Sequence, residues 1–108
     1  MSLNTLVLKR LTELTSKGEA MLQAKEHDFT SDKGKKYYRV CSPEVEGWGT
    51  SVLNLLQRVF GESSAHYTRF EKLFTEYDSW ESSFQEMQAI LAAAKEDYEG
   101  GYLFNLRG

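Results

Sequence analysis

The chain has 108 residues, of which 41% are hydrophobic and 27% charged, and its formal net charge is −3. This length suits one domain with one core, and the composition is too apolar for intrinsic disorder. The acidic balance argues against non-specific binding to nucleic acid, because a basic surface supplies most of that affinity.

The cysteine content and the N-terminal sequence indicate in which cellular compartment the protein resides. The single cysteine, Cys41, excludes an internal disulfide and a metal site built from several thiolates. Lys9, Arg10 and Glu13 interrupt the first apolar run, so it does not read as a secretion signal. No stretch approaches the roughly 18 apolar residues of a membrane span. We therefore predict a cytoplasmic protein without a membrane partner.

The first predicted helix covers residues 3–25. Its apolar residues recur at spacings of three and four, which is the period of an amphipathic helix. They are Leu3, Val7, Leu11, Leu14 and Met21. Gly18 lies on the same stripe, which favours a close approach of another helix there.

The stretch around residues 28–42 is the least regular. Residues 30–34 combine short polar side chains with a glycine, which is typical of a turn. Residues 37–41 have some strand propensity, but a single strand would have no partner. We therefore predict an irregular, extended linker, with Cys41 as a small buried residue at its end.

Three further helical segments follow the linker. Residues 42–44 have the serine, proline and glutamate of a helix start. Gly47 and Gly49 weaken that start, so a beginning near Thr50 is the alternative, and the predicted end is Gly61. The third opens at residue 63 or 64. Asp78 indicates a break before the fourth, although one bent helix would also fit the pattern. The prediction is an all-α fold, a three- to four-helix bundle of mostly up-and-down topology.

Large apolar side chains on these stripes form the predicted core. They are Trp48, Leu55, Leu56, Phe70, Phe74, Trp80, Phe84 and Leu91. We predict a single helical domain over residues 1–108, either as the whole protein or as the N-terminal part of a longer one.

No motif indicates catalysis or a bound cofactor. The glycines around Trp48 lack the lysine of a phosphate-binding loop, and no Glu-x-x-His pattern of helical metal sites occurs. A hydrolase using Arg58, Glu62 and His66 is the weakest hypothesis that we keep. Because no such motif occurs, we predict a protein that is not an enzyme and that has no cofactor and no metal.

Two segments are candidate binding surfaces. The first is a basic and aromatic run, which combines lysines with rings as proteins that hold single-stranded nucleic acid do. It comprises Lys33, Lys35, Lys36, Tyr37, Tyr38 and Arg39. The second is an apolar tail after the glycine pair at 100–101, which could dock on the body, bind a partner or continue into a longer protein. It comprises Tyr102, Leu103, Phe104 and Leu106.

Three stretches carry a resemblance, namely residues 47–61, residues 63–70 and residues 90–103. Together they resemble the N-terminal helical region of a group of uncharacterised bacterial proteins, in which a second, HEPN-like helical domain follows. The resemblance implies an all-helical module that is the N-terminal part of a longer protein, or a stand-alone version of it. HEPN ribonucleases carry an arginine followed by a histidine after four to six residues. Arg58 and His66 are further apart, which argues against that activity.

These observations favour a helical interaction or oligomerisation module without catalytic activity, with a protein partner or a second copy of the chain as its ligand. The alternative is a nucleic-acid-associated, defence-type protein that uses residues 33–39.

Overall fold

The computed structural model describes residues 2–41 and 43–105, with side chains up to residue 101. Helix accounts for 71% of it, which confirms the helical class predicted from the sequence. The elements are α1 (Leu3–Gln23), β1 (Glu26–Thr30), β2 (Lys36–Arg39), α2 (Glu44–Phe60), α3 (Ala65–Thr75) and α4 (Glu81–Asn105). Among these described helices, none has the length and apolarity needed to cross a membrane.

A β-hairpin replaces the predicted linker around residues 28–42. Strands β1 and β2 pair antiparallel, with Phe29 opposite Tyr37 and a bulge between His27 and Phe29. The predicted turn does exist between them, and Gly34 takes a φ of 83° there. The linker prediction was wrong because four of the five residues of β1 are polar and all five are exposed, so the strand lacks the usual apolar alternation.

Helix α2 begins at Glu44, the earlier of the two starts that the sequence indicates, and not near Thr50. Gly49 does not weaken the helix start; it makes room for α3, since a Cβ at this position would collide with the ring of Phe74. The predicted end at Gly61 is confirmed, and this glycine has a φ of 92°.

Helices α3 and α4 are separate. The Ser64 hydroxyl caps α3 by accepting from the Tyr67 amide at 3.1 Å. Between the helices, Ser79 has a positive φ of 73°. The Asp78 carboxylate accepts from the Trp80 amide and from the Ser83 hydroxyl, so it closes the start of α4.

The core lies where the four helices meet, around Trp48. Helix α4 packs against α1 and α3, and α2 packs against the same two helices. Five residues of the predicted core are fully buried, namely Trp48, Leu56, Phe70, Phe84 and Leu91, whereas Leu55, Phe74 and Trp80 are only partly buried. The prediction omitted Leu11, Leu14, Met21, Val40, Val45, Val52, Met87 and Ala94, which are also buried.

The close approach predicted at Gly18 is present, because the Gln88 side chain of α4 occupies the space that a Cβ would need. Its Nε2 donates to the Thr15 carbonyl at 3.3 Å. The small residue therefore lets α4 bond directly to the backbone of α1.

The hairpin is fixed to the junction between α3 and α4. The Val40 amide donates to the Ser79 carbonyl at 2.8 Å, and the Tyr77 hydroxyl donates to the Val40 carbonyl at 2.6 Å. Val40 is buried at this contact. Cys41 was predicted to be buried, but it is exposed, because Val40 fills the core position next to it.

Two glycines of α2 form a matched pair for testing the packing of α3. Ala at position 49 must displace Phe74, so we expect Gly49→Ala to lower the free energy of unfolding by about 1–3 kcal/mol. Position 47 has open space, so Gly47→Ala should raise it by about 0.5–1 kcal/mol through helix propensity. Urea unfolding measures both. Equal stabilisation by the two changes would contradict this packing.

Alkaline pH should loosen the attachment of the hairpin. Burial, with smaller contributions from Cys41 and Asp78, raises the pKa of Tyr77 to about 12. A folded pKa above the unfolded value means that the stabilisation is complete below about pH 10 and is lost between about pH 10 and 12. After allowance for partial exposure, we expect a loss of about 1–2 kcal/mol over that range.

The control for this pH effect is a pair of tyrosine variants studied by urea unfolding across the same range. Tyr77→Phe removes the titrating hydroxyl and should flatten that part of the pH profile. Tyr38→Phe leaves the hydrogen bond from Tyr77 to Val40 in place and should keep the pH dependence of the wild type. A wild-type profile in Tyr77→Phe would exclude the assignment.

Candidate functional site

The hairpin divides the predicted basic and aromatic run between two faces. Side chains alternate along β2, so Tyr37 and Arg39 lie on one face and Lys36 and Tyr38 on the other. Lys33 and Lys35 lie in or next to the turn, and both are exposed. The run is therefore not one continuous stripe.

Arg39 has a structural role at the base of the hairpin. Its Nε donates to the Asp28 carboxylate at 2.8 Å, which raises the pKa of Arg39, and its guanidinium carbon lies 3.9 Å from the centre of the Trp80 ring. A second hydrogen bond reaches the Asp78 carbonyl. These contacts use two of the five N–H groups of Arg39 and hold its guanidinium against the Trp80 ring.

The face that carries Tyr37 holds an aromatic cluster, which we call the hairpin stack: Phe29, Tyr37 and Trp80. Phe29 and Tyr37 stack in parallel, with ring centres 4.7 Å apart and planes 11° apart. Trp80 meets both rings edge-on, at 6.0 and 6.3 Å. Phe29 remains 46% exposed. Phe29 does not stand out in the sequence, because only the hairpin register places it opposite Tyr37.

The other end of the helices carries an apolar groove. Helices α1, α2 and α4 contribute its lining, which consists of Leu3, Val7, Leu55, Arg58, Val59 and Tyr98, and its volume is about 390 Å³. Within this lining Leu3 is 75% exposed, and Leu6 of the same helix is 49% exposed. We call Leu3, Leu6 and this groove the end face.

A second, polar groove adjoins the end face and shares Leu55 and Arg58 with it. Its other lining residues are Arg10, Ser51, Asn54 and Gln57. Arg10 has one exposed ion pair with Glu13 at 3.3 Å, whereas Arg58 has no ion pair within residues 2–41 and 43–105. Positive charge therefore borders the apolar groove.

Helix α4 extends past the first turns of its neighbours. The Tyr98 hydroxyl donates to the Asn4 side chain in α1, and His66 in α3 contacts the Asp97 carboxylate at 2.7 Å. The backbone continues as helix through the glycine pair to Asn105, which adds roughly 10 Å. Of the predicted partner-binding tail, Tyr102, Leu103 and Phe104 have side chains outside the described set, and Leu106 lies outside the described residues.

The three residues of the hydrolase hypothesis do not form a hydrogen-bonded group in the described part of the chain. Glu62 accepts from Gln57 at 2.6 Å, and His66 bonds to Asp97 and packs against Phe60. Across the same part of the chain, no three His, Cys, Asp or Glu side chains are grouped so that they could hold a metal ion.

Comparison with protein-family models, with curated proteins and with solved structures finds no match for this chain. The resemblance to the helical bacterial group therefore stays a prediction, and the surfaces described above are the basis for a functional assignment.

Proposed function

We propose that the chain is a cytoplasmic helical interaction module, an up-and-down four-helix bundle that forms a homodimer through its end face and has no catalytic activity of its own. The observation that carries this proposal is the concentration of exposed apolar surface at one end. Leu3 and Leu6 are two of the three large hydrophobic side chains that are exposed in the described residues, and they occupy the first two turns of one helix.

The exposed leucines have a physical cost in water. Burying apolar surface is favourable by about 25 cal/mol per Å². A partner surface that covers both leucines and the groove therefore removes all of this apolar area from water at once. The core is filled without these two leucines, and Leu11 and Leu14 are the leucines of the same helix that are buried in it. Leu3 and Leu6 are thus available for a partner, whereas Val7 in the same turns packs against the core and Asn4 bonds to Tyr98.

Charge complementarity favours a second copy as the occupant. Arg10 and Arg58 border the groove, whereas Glu96 and Glu99 are exposed on the part of α4 next to it. In a two-fold dimer, the same patch from each copy meets the other. The α4 of one copy can then cover the groove of its partner, with carboxylates placed near arginines.

The dimer is tested by sedimentation velocity on the full chain from about 1 µM to about 1 mM, a range that covers weak self-association. We expect a monomer–dimer equilibrium. Leu3→Asp combined with Leu6→Asp should weaken it at least about tenfold, because two charges would be buried in the interface. Arg58→Glu should also weaken it, since it places a carboxylate opposite Glu96 or Glu99.

The matched control is Phe29→Ser, which removes the third exposed hydrophobic side chain from the far end of the molecule and should leave dimerisation unchanged. Circular dichroism checks that each variant keeps its helix content. A wild-type chain that stays monomeric over the whole concentration range would refute the homodimer. Equal weakening by Phe29→Ser would move the interface away from the end face.

A further inference from the structure

We infer that the hairpin stack is a binding platform for single-stranded nucleic acid, separate from the end face. An unstacked base would pack on Phe29, and the lysines of the turn would contact the phosphates on either side. The proposal concerns the hairpin alone, so it does not depend on dimerisation.

The first argument is the accessibility and rigidity of Phe29. Tyr37 already has Phe29 against its ring and the Lys35 ammonium 5.3 Å from its ring centre, whereas Phe29 keeps 46% of its surface exposed. Trp80 contacts the Phe29 ring edge-on, and the Arg39 guanidinium lies over the Trp80 ring. A base that stacks on this ring therefore meets a surface that is already ordered, so binding does not have to immobilise it.

The second argument is the charge next to the ring. Lys33, Lys35 and Lys36 are exposed, and none of them forms an ion pair with a described carboxylate. The cations at the base of the hairpin differ in this respect, because Lys25 pairs with Glu81 and Arg39 pairs with Asp28. Asp32 is the one acidic residue of the turn. These three exposed ammonium groups, one of which lies 5.3 Å from the centre of the Tyr37 ring, give the turn end of the hairpin the positive charge that phosphates beside a stacked base require.

The third argument separates single strands from duplexes. Bases in a duplex are stacked on one another, so their faces cannot reach a protein ring, and recognition of single strands relies on aromatic side chains together with a basic track. The hairpin offers the flat ring of Phe29 and lysine side chains near the turn. We therefore expect a sequence-tolerant and salt-sensitive contact with one or two bases.

The test is fluorescence anisotropy of the full chain with labelled oligothymidine and oligouridine of about 12 nucleotides. Titrations at about 20 mM and about 200 mM salt give the salt dependence, and three phosphate contacts predict a slope near −2 in the log–log plot. A duplex of the same length should bind at least about tenfold more weakly, since it offers no free base face.

Two variants at one position isolate the stack. Phe29→Leu keeps an apolar side chain against Tyr37 and Trp80 but removes the flat ring, so affinity should fall about 5- to 150-fold, the range that one base–aromatic stack provides. Phe29→Tyr keeps the ring and should bind as the wild type does. Replacing the three lysines by serine should abolish the salt dependence, whereas Lys9→Ser, on the exposed side of α1, should not.

Failure to bind at about 20 mM salt and protein concentrations near 1 mM would overturn the proposal. Equal affinity for single strand and duplex would overturn it too, as would binding that Phe29→Leu leaves unchanged. Because sedimentation reports the dimer and anisotropy reports the hairpin, failure of one proposal leaves the other standing.

Discussion

The contacts of Trp48 are the constraint on which the rest of the structure depends. This α2 side chain is fully buried, and it touches all three other helices. Its ring stacks on Phe84 of α4 at 4.8 Å and meets Phe70 of α3 edge-on at 5.7 Å. Its indole N–H donates to the Leu14 carbonyl of α1 at 2.8 Å, so the one polar atom of the ring is satisfied inside the core.

The contacts of Trp48 lie in the middle of the molecule, so its two ends can carry separate surfaces. The protein measures 57 × 25 × 25 Å, and α4 runs from the hairpin at one end to the end face at the other. The hairpin is attached where α4 begins, through Tyr77, Val40 and Ser79. The apolar groove lies where α4 reaches Tyr98. The rigid core thus holds two chemically different surfaces apart, one aromatic and basic, the other apolar with flanking arginines.

Sequence patterns predicted the helices better than the surfaces, for physical reasons. Helical periodicity reports burial on one side, which is why α1 could be recognised. The break at Asp78 was indicated by its capping chemistry, with one bent helix as the alternative. The hairpin was missed because its first strand is exposed throughout and carries polar residues. The glycines at 47 and 49 look identical in sequence, yet only Gly49 has a neighbouring ring in its Cβ position.

The candidate sites follow the same logic. Residues 33–39 could be proposed from the sequence because they are contiguous. Phe29 could not, since its role depends on strand register. The end face joins Leu3, Leu55 and Tyr98 from three helices, and no local pattern indicates that they meet. Only the packing around Trp48 brings them together.

Native-state hydrogen exchange at two protein concentrations tests the central claim most directly, because it reports the core and the end face in one measurement. We expect the Trp48 indole N–H to exchange only through global unfolding at both concentrations. Amides in the first two turns of α1 and in α4 after Tyr98 should become more protected at the higher concentration. Protection of these amides that does not change with concentration, or fast exchange at the Trp48 indole, would contradict the account.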